Sequence, residues 1–214
     1  MKIRPRLALV CLLCGAAPAF AQEVDPPPAP RKPRAFEIRG YFVAGSEQTE
    51  SPKTFDAIFG SERLLLIGGG GELIVARRWL VRGQVSQFSD TGTRVFVDAG
   101  EVFSLNIPLE VTVRATEFSA GYRFLVKPRW ALFAAAGRTQ YSLTERSNDE
   151  TDRSKGSGWH VLAGVDVKPI KWVMLAGEAQ WTRTEDILGG GAAEALGESQ
   201  LGGLRLAGRI GFAF

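Results

Sequence analysis

The chain has 214 residues, 45% of them hydrophobic and 23% charged, enough for one domain with a sizeable core. Its formal charge of +3 equals the three basic side chains of residues 1–21, a stretch without acids, so everything from Gln22 onward sums to neutral. That balance gives no support to nucleic acid as a partner, and none is expected, because such binding needs a basic patch on the folded domain. The two cysteines, Cys11 and Cys14, lie in the same first stretch, which leaves the rest dependent on burial and backbone pairing.

Lys2, Arg4 and Arg6 open the chain. Leu7 to Ala17 is apolar and too short to cross a bilayer as a helix, and Ala19-Phe20-Ala21 has the small-x-small form of a cleavage site. Residues 1–21 are read as a secretory signal peptide, with Gln22 as the mature start. An uncleaved anchor is one alternative. Lipidation at Cys14 is another, disfavoured by Leu13 where a small residue is required. Residues 22–35 contain Pro26, Pro27, Pro28, Pro30 and Pro33 and show no apolar periodicity, so they are read as an extended linker. The folded domain is expected over residues 36–214.

From Phe36 the sequence alternates with period two. Phe36, Ile38, Gly40 and Phe42 oppose Glu37, Arg39 and Tyr41. Phe118, Ala120, Tyr122 and Phe124 oppose Ser119, Gly121 and Arg123. Trp159, Val161, Ala163, Val165 and Val167 oppose His160, Leu162, Gly164 and Asp166. Val173, Leu175, Ala179 and Trp181 oppose Met174, Ala176, Glu178 and Gln180. Leu204, Leu206, Ile210, Phe212 and Phe214 oppose Arg205, Ala207, Arg209, Gly211 and Ala213. Eight strands are predicted near 36–46, 64–76, 79–88, 109–126, 130–145, 158–168, 171–184 and 203–214. Basic turns each followed by a tryptophan (Trp79, Trp130, Trp172) separate some of them. Polar segments over 46–63, 89–108, 146–158 and 185–203 are read as longer loops. Within the second, Asp98-Ala99-Gly100 signals a hairpin whose strands run beyond the others.

Five acids and six arginines fall on the face opposite the apolar one: Glu37, Arg39, Glu72, Arg82, Glu117, Arg123, Arg138, Asp166, Glu178, Arg205 and Arg209. The apolar face mixes aromatics with small residues, Ala120, Ala131, Ala135, Ala163 and Ala179. The polar face carries arginine with matching carboxylates and no lysine, which suits a buried paired site better than a wet one. The expected fold is all-β, an eight-stranded antiparallel up-and-down transmembrane β-barrel, its apolar face toward lipid and its charges in the lumen. Trp79, Trp130 and Trp172 would form one interfacial girdle, and Trp159, Trp181 and Tyr141 the other.

The chain ends in an aromatic-x-aromatic pattern after Gly208, with Phe212 and Phe214. This resembles the signal by which outer-membrane barrels are inserted by their assembly machinery, although the usual pattern has glycine where Arg209 stands. With the leader, the eight alternating strands and the short turns, the chain resembles the small bacterial outer-membrane β-barrel family, of the OmpA and OmpX transmembrane-domain type, over residues 36–214. The resemblance implies an outer-membrane location, contact with outer-membrane lipid and lipopolysaccharide, passage through the barrel-assembly machinery and a monomer.

A barrel of eight strands is filled by its own side chains, so a closed, salt-bridged lumen is expected, with any specific action left to the loops, open to a surface partner. No cofactor and no metal is expected: the acids Asp149, Glu150 and Asp152 have no metal-loop spacing, and Gly68–Gly71 and Gly189–Gly191 lack the Lys-Ser/Thr of a phosphate loop. Some barrels of this membrane modify lipids, but the sole histidine, His160, is expected to face the lumen near Asp166, away from lipid. A lipid-modifying enzyme, a small ion channel and a soluble lipocalin-like ligand carrier stand as the alternatives to a structural or surface-interaction barrel.

Overall fold

A computed structural model describes residues 36–98, 101–148, 150–184, 187–188 and 191–214. The leader read at 1–21 and the linker read at 22–35 lie outside the described residues. β1 (Phe36–Thr49) is followed by α1 (Pro52–Phe59), β2 (Arg63–Val75), β3 (Trp79–Asp98), β4 (Glu101–Phe124), β5 (Trp130–Ser147), β6 (Glu150–Ile170), β7 (Val173–Thr184), α2 (Gly191–Leu196) and β8 (Gly203–Ala213). Each strand pairs antiparallel with the next, and β8 pairs back onto β1, so the sheet closes on itself. Closure satisfies the backbone within the protein, which is the condition for crossing lipid with strands.

The alternation decides which way each side chain faces. Phe42, Leu65, Trp79, Phe118, Leu206 and Ile210 are exposed on the outer wall, whereas arginines and carboxylates beside them in sequence are buried. This inversion of the ordinary soluble pattern is what a barrel in hydrocarbon requires. No helix among the described residues is long and apolar enough to cross a membrane. Where side chains are bulky, glycine makes room: a Cβ on Gly70 would lie 2.7 Å from the Tyr41 hydroxyl, and one on Gly164 would lie 2.6 Å from the Phe133 ring.

One strand faces opposite to its expected phase. Arg138 is exposed on the outer wall, while Ala131, Ala135 and Tyr141 are buried in the lumen. All four belong to β5, where Leu132 and Phe133 stand side by side and Ala134-Ala135-Ala136-Gly137 gives little contrast. A one-residue change of phase moves every side chain of a strand to the other face.

Two of the expected loops are strands. The ladder between β3 and β4 continues through Val97↔Val102 to Asp98↔Glu101, as the hairpin signal implied. That between β5 and β6 continues to Ser147↔Glu150, through the span 146–158 that was read as a loop. β4 has 24 residues and β6 has 21, about twice the 9–11 needed to span a bilayer. These segments leave the lipid, the contrast between the two faces is lost, and the period-two signal disappears although the backbone pairing persists.

The other two loops fold over the same end of the barrel. In α1, proline begins the helix and Gly60 ends it in the left-handed region, its N–H bonding to Asp56 O. Glu198, beyond α2, accepts hydrogen bonds from the backbone of Lys53 (3.2 Å) and Thr54 (2.7 Å) and from the Thr54 hydroxyl (2.8 Å). A carboxylate there complements the free N–H groups of the helix start. Phe55 is buried and stacks with Phe59, which meets Phe88 of β3 edge-on. With Leu66, Val111, Leu143, Leu188, Ala193 and Leu201 these form an apolar cluster at the loop end of the barrel.

Candidate functional site

The lumen collects the inward positions of all eight strands. Ten of the eleven charged residues singled out in the sequence meet there, nine buried and Glu37 half-buried; Arg138 is the exception. Toward the turn end, Glu37 takes Lys168 at 2.6 Å and Arg39 at 2.5 Å. Arg39 also reaches Glu72 (2.7 Å) and Asp166 (2.9 Å), and Asp166 accepts Arg123 (3.1 Å). Arg209 lies 3.0 Å from both Glu72 and Glu178, with its guanidinium over the rings of Tyr41 and Phe133. Arg82 grips Glu178 with two nitrogens, at 2.6 and 3.3 Å.

A second layer lies toward the loops. Glu117 accepts Arg205 (2.7 Å), Gln180 (2.8 Å) and Gln84 (3.0 Å), and Arg205 also donates to Gln180. The Tyr41 hydroxyl donates to Gln84 at 3.2 Å, which ties the two layers together. Tyr141, expected in the interfacial girdle, instead donates to buried Glu47 at 3.3 Å. Gln180 falls on the inward face by its alternation, whereas Gln84, Glu47 and Lys168 are not placed by the sequence. Continued counting by twos from Arg82 and Tyr41 would have placed Gln84 and Glu47 inward.

His160 is fully buried. Its Nε2 meets the Ser119 hydroxyl at 2.8 Å and its Nδ1 the Thr139 hydroxyl at 2.7 Å. Asp166, expected beside it, belongs to the arginine layer, and Ser157 faces the outer wall. Among the described residues no group of three or more His, Cys, Asp or Glu side chains could hold a metal ion.

On the outer wall Trp79, Trp130 and Trp172 stand next to the short turns and Trp159 and Trp181 toward the loops. They pack in pairs: Trp79 edge-on to Tyr122, Trp172 stacked on Phe212, Trp159 edge-on to Trp181. Gly208 and Phe212 lie in β8, with Phe212 facing outward; Phe214 is exposed, and its N–H bonds to Ile38 O.

Above the apolar cluster the mouth holds a cavity of about 420 Å³, lined by Phe55, Ile58, Arg94, Leu143, Glu145 and Asp152 among others. Glu145 and Asp152 are direct partners across β5 and β6. Burial, with the Asp152 charge opposite, pushes the Glu145 carboxyl above its ordinary range, and Arg94 offsets part of this. On the projecting β3–β4 hairpin, Phe96, Val102, Phe103 and Leu105 are exposed.

The family described as "Outer membrane protein beta-barrel domain" matches residues 7–202. A search of curated proteins finds no match. Among solved structures the chain is similar to Ail, the attachment invasion locus protein of Yersinia pestis, at 10% identity and a TM-score of 0.53, covering 84% of this chain and 98% of that one. It is similar to the outer membrane protein OprG from Pseudomonas aeruginosa at 13% identity and a TM-score of 0.53, covering 84% and 95%. It is also similar to Neisserial surface protein A, at 10% identity and a TM-score of 0.51, covering 84% and 95%. At these identities the likeness shows the fold.

Proposed function

The chain belongs to the outer membrane protein β-barrel domain family, and from that footing we propose that it is a non-enzymatic barrel with a closed lumen, whose role is structural and surface-interacting. The observation that carries this reading is the direction of the ion pairs. In a ring of eight strands β3 lies opposite β7, and β4 opposite β8. Arg82–Glu178 and Arg205–Glu117 join those strands, so each pair spans the lumen. The apolar cluster beneath α1 and α2 adds a second closure in series.

The same geometry argues against the other classes. His160 is enclosed by two hydroxyls, and among the described residues no carboxylate is bonded to it to orient it as a general base. An outward apolar wall over an inward charged one does not suit a soluble carrier. Activity at the cell surface is assigned to the loop end, where the β3–β4 hairpin carries an exposed apolar patch of the kind that marks interaction sites. Residues 1–21 serve as the cleaved export signal and the terminal Phe214 pattern as the assembly signal.

The test is swelling of liposomes that contain the refolded protein, in small sugars and amino acids. The reading predicts rates equal to protein-free liposomes. Swelling that rises in proportion to the protein added overturns the closed lumen.

A further inference from the structure

The lumen balances its charges, but the outer wall does not. On β4 from residue 109, and on β5, β6 and β7, the outward side chains toward the loop end include Arg114, Arg138, Lys155, Arg153 and Arg183, all exposed. Among the described residues of that face Glu110 is the one acid, and it lies opposite Arg146 at the top of the ladder. None of the first five is in an ion pair among the described residues. The corresponding outward positions of β1, β2 and β8 are Ser46, Gln48, Leu65, Ile67 and Leu204, with only Arg63 at the end of β2. The positive charge is therefore confined to one side of the barrel.

Register groups these cations into two rows. Arg114 faces Ser142, and Ser142 faces Lys155. Lower on the wall Arg138 faces Trp159, and Trp159 faces Arg183. Strands stand about 4.8 Å apart, so in each row the two cations are roughly 10 Å apart with one residue between. A groove of about 490 Å³ follows the upper row, lined by Arg114, Thr116, Gln140, Ser142, Lys155 and Ser157. Directly below, Phe118, Ala120, Val161 and Ala163 continue as bare apolar wall.

We propose that this wall of β4–β7 binds the phosphate-bearing headgroup of an outer-leaflet glycolipid, lipopolysaccharide. Guanidinium and ammonium groups with hydroxyl and amide donors between them are the chemistry that holds phosphate. The site stands at the level of Trp159 and Trp181, where the lipid–water boundary falls. An amphiphile whose phosphates rest on the two rows lays its acyl chains down the apolar wall below. Arg138 faces Trp159 at that boundary, where an exposed guanidinium meets lipid headgroups and an anion can be held against it.

This inference rests on the outer-membrane reading, and the experiment separates the two. Only protein that migrates as a compact, heat-modifiable form in detergent is titrated, so failure to reach that form counts against the barrel reading and never enters the binding result. The probes are purified lipopolysaccharide, the same material after enzymatic dephosphorylation, and inorganic phosphate. Arg114→Gln with Lys155→Gln, and separately Arg138→Gln with Arg183→Gln, are expected to weaken lipopolysaccharide binding by about tenfold each. Arg63→Gln, on the far wall, is expected to leave it unchanged. Dephosphorylation of the lipid should weaken binding to the unaltered protein by a similar factor. Equal binding by the unaltered protein and both double variants overturns the proposal, as does an equal loss with Arg63→Gln. Inorganic phosphate binding as tightly as the glycolipid overturns the lipid as the source of the phosphate.

Discussion

Glu117→Gln is the substitution that most cleanly loads the closed-lumen account. Glu117 is buried and accepts Arg205 at 2.7 Å, Gln180 at 2.8 Å and Gln84 at 3.0 Å. The amide keeps the shape and removes the charge. Arg205 is then left buried with the Gln180 side chain and a 3.4 Å contact to the Ser86 hydroxyl, and among the described residues no carboxylate remains in ion-pair contact, Glu47 being its cross-strand neighbour. Stranding one member of a buried ion pair costs about 3–5 kcal/mol. Removing both charges, in Glu117→Gln with Arg205→Met, should restore most of that loss, because a buried pair replaced by a neutral one of similar volume is often close to neutral. The assay is urea unfolding of the barrel in lipid vesicles, followed by tryptophan emission, as a double-mutant cycle. A loss under about 0.5 kcal/mol for the single variant, within the spread expected of independent sites, refutes the reasoning. So does a double variant less stable than the single one.

Three further outcomes follow from the same geometry. The Glu145 carboxyl is raised, so its ionised form destabilises the fold: the penalty is absent below the usual carboxylate range and grows as pH rises through the raised value. Glu145→Gln should therefore raise the heat-modifiability midpoint at neutral pH and leave it unchanged in acid; a gain confined to acid would contradict the assignment. Gly70→Val should collapse the folded yield, since its Cβ meets the Tyr41 hydroxyl at 2.7 Å and Gly83 O at 2.4 Å, whereas Gly40→Val has nothing within 4 Å and should fold normally. His160→Ala should leave the cell's lipid A unchanged by mass spectrometry while lowering stability, through loss of the bonds to Ser119 and Thr139; altered lipid A would reopen the enzyme reading.

The sequence made the barrel legible wherever one face of a strand meets lipid and the other the lumen, because only there do period-two contrasts arise. Phe212 against Arg209 in β8 and Trp159 against His160 in β6 are such contrasts. Contrast fails in β5, where Ala134-Ala135-Ala136-Gly137 suits either face. There the charge of Arg138 alone points inward, and that phase would turn Tyr141 and the two alanines outward. A charged residue facing out is natural beside Trp159, at the boundary where lipid headgroups begin. Contrast also fails above the membrane. The spans 146–158 and 185–203 look equally polar, yet the first is paired strand and much of the second caps the mouth as α2 and its flanks. Polar composition reports contact with water and says nothing of whether the backbone is paired. α1 was hidden for another reason: a helix of eight residues has room for only one apolar face, and Phe55, Ile58 and Phe59 become informative once the barrel mouth beneath them is known.

The closure proposed for the lumen is a set of ion pairs from wall to wall, with the apolar cluster above them, that leaves no continuous path through the barrel. Conductance of the purified, folded protein in a planar lipid bilayer tests it most directly. A closed lumen gives a baseline without sustained steps at any applied voltage that the bilayer withstands. Stable, reproducible conductance steps that scale with inserted protein would contradict it.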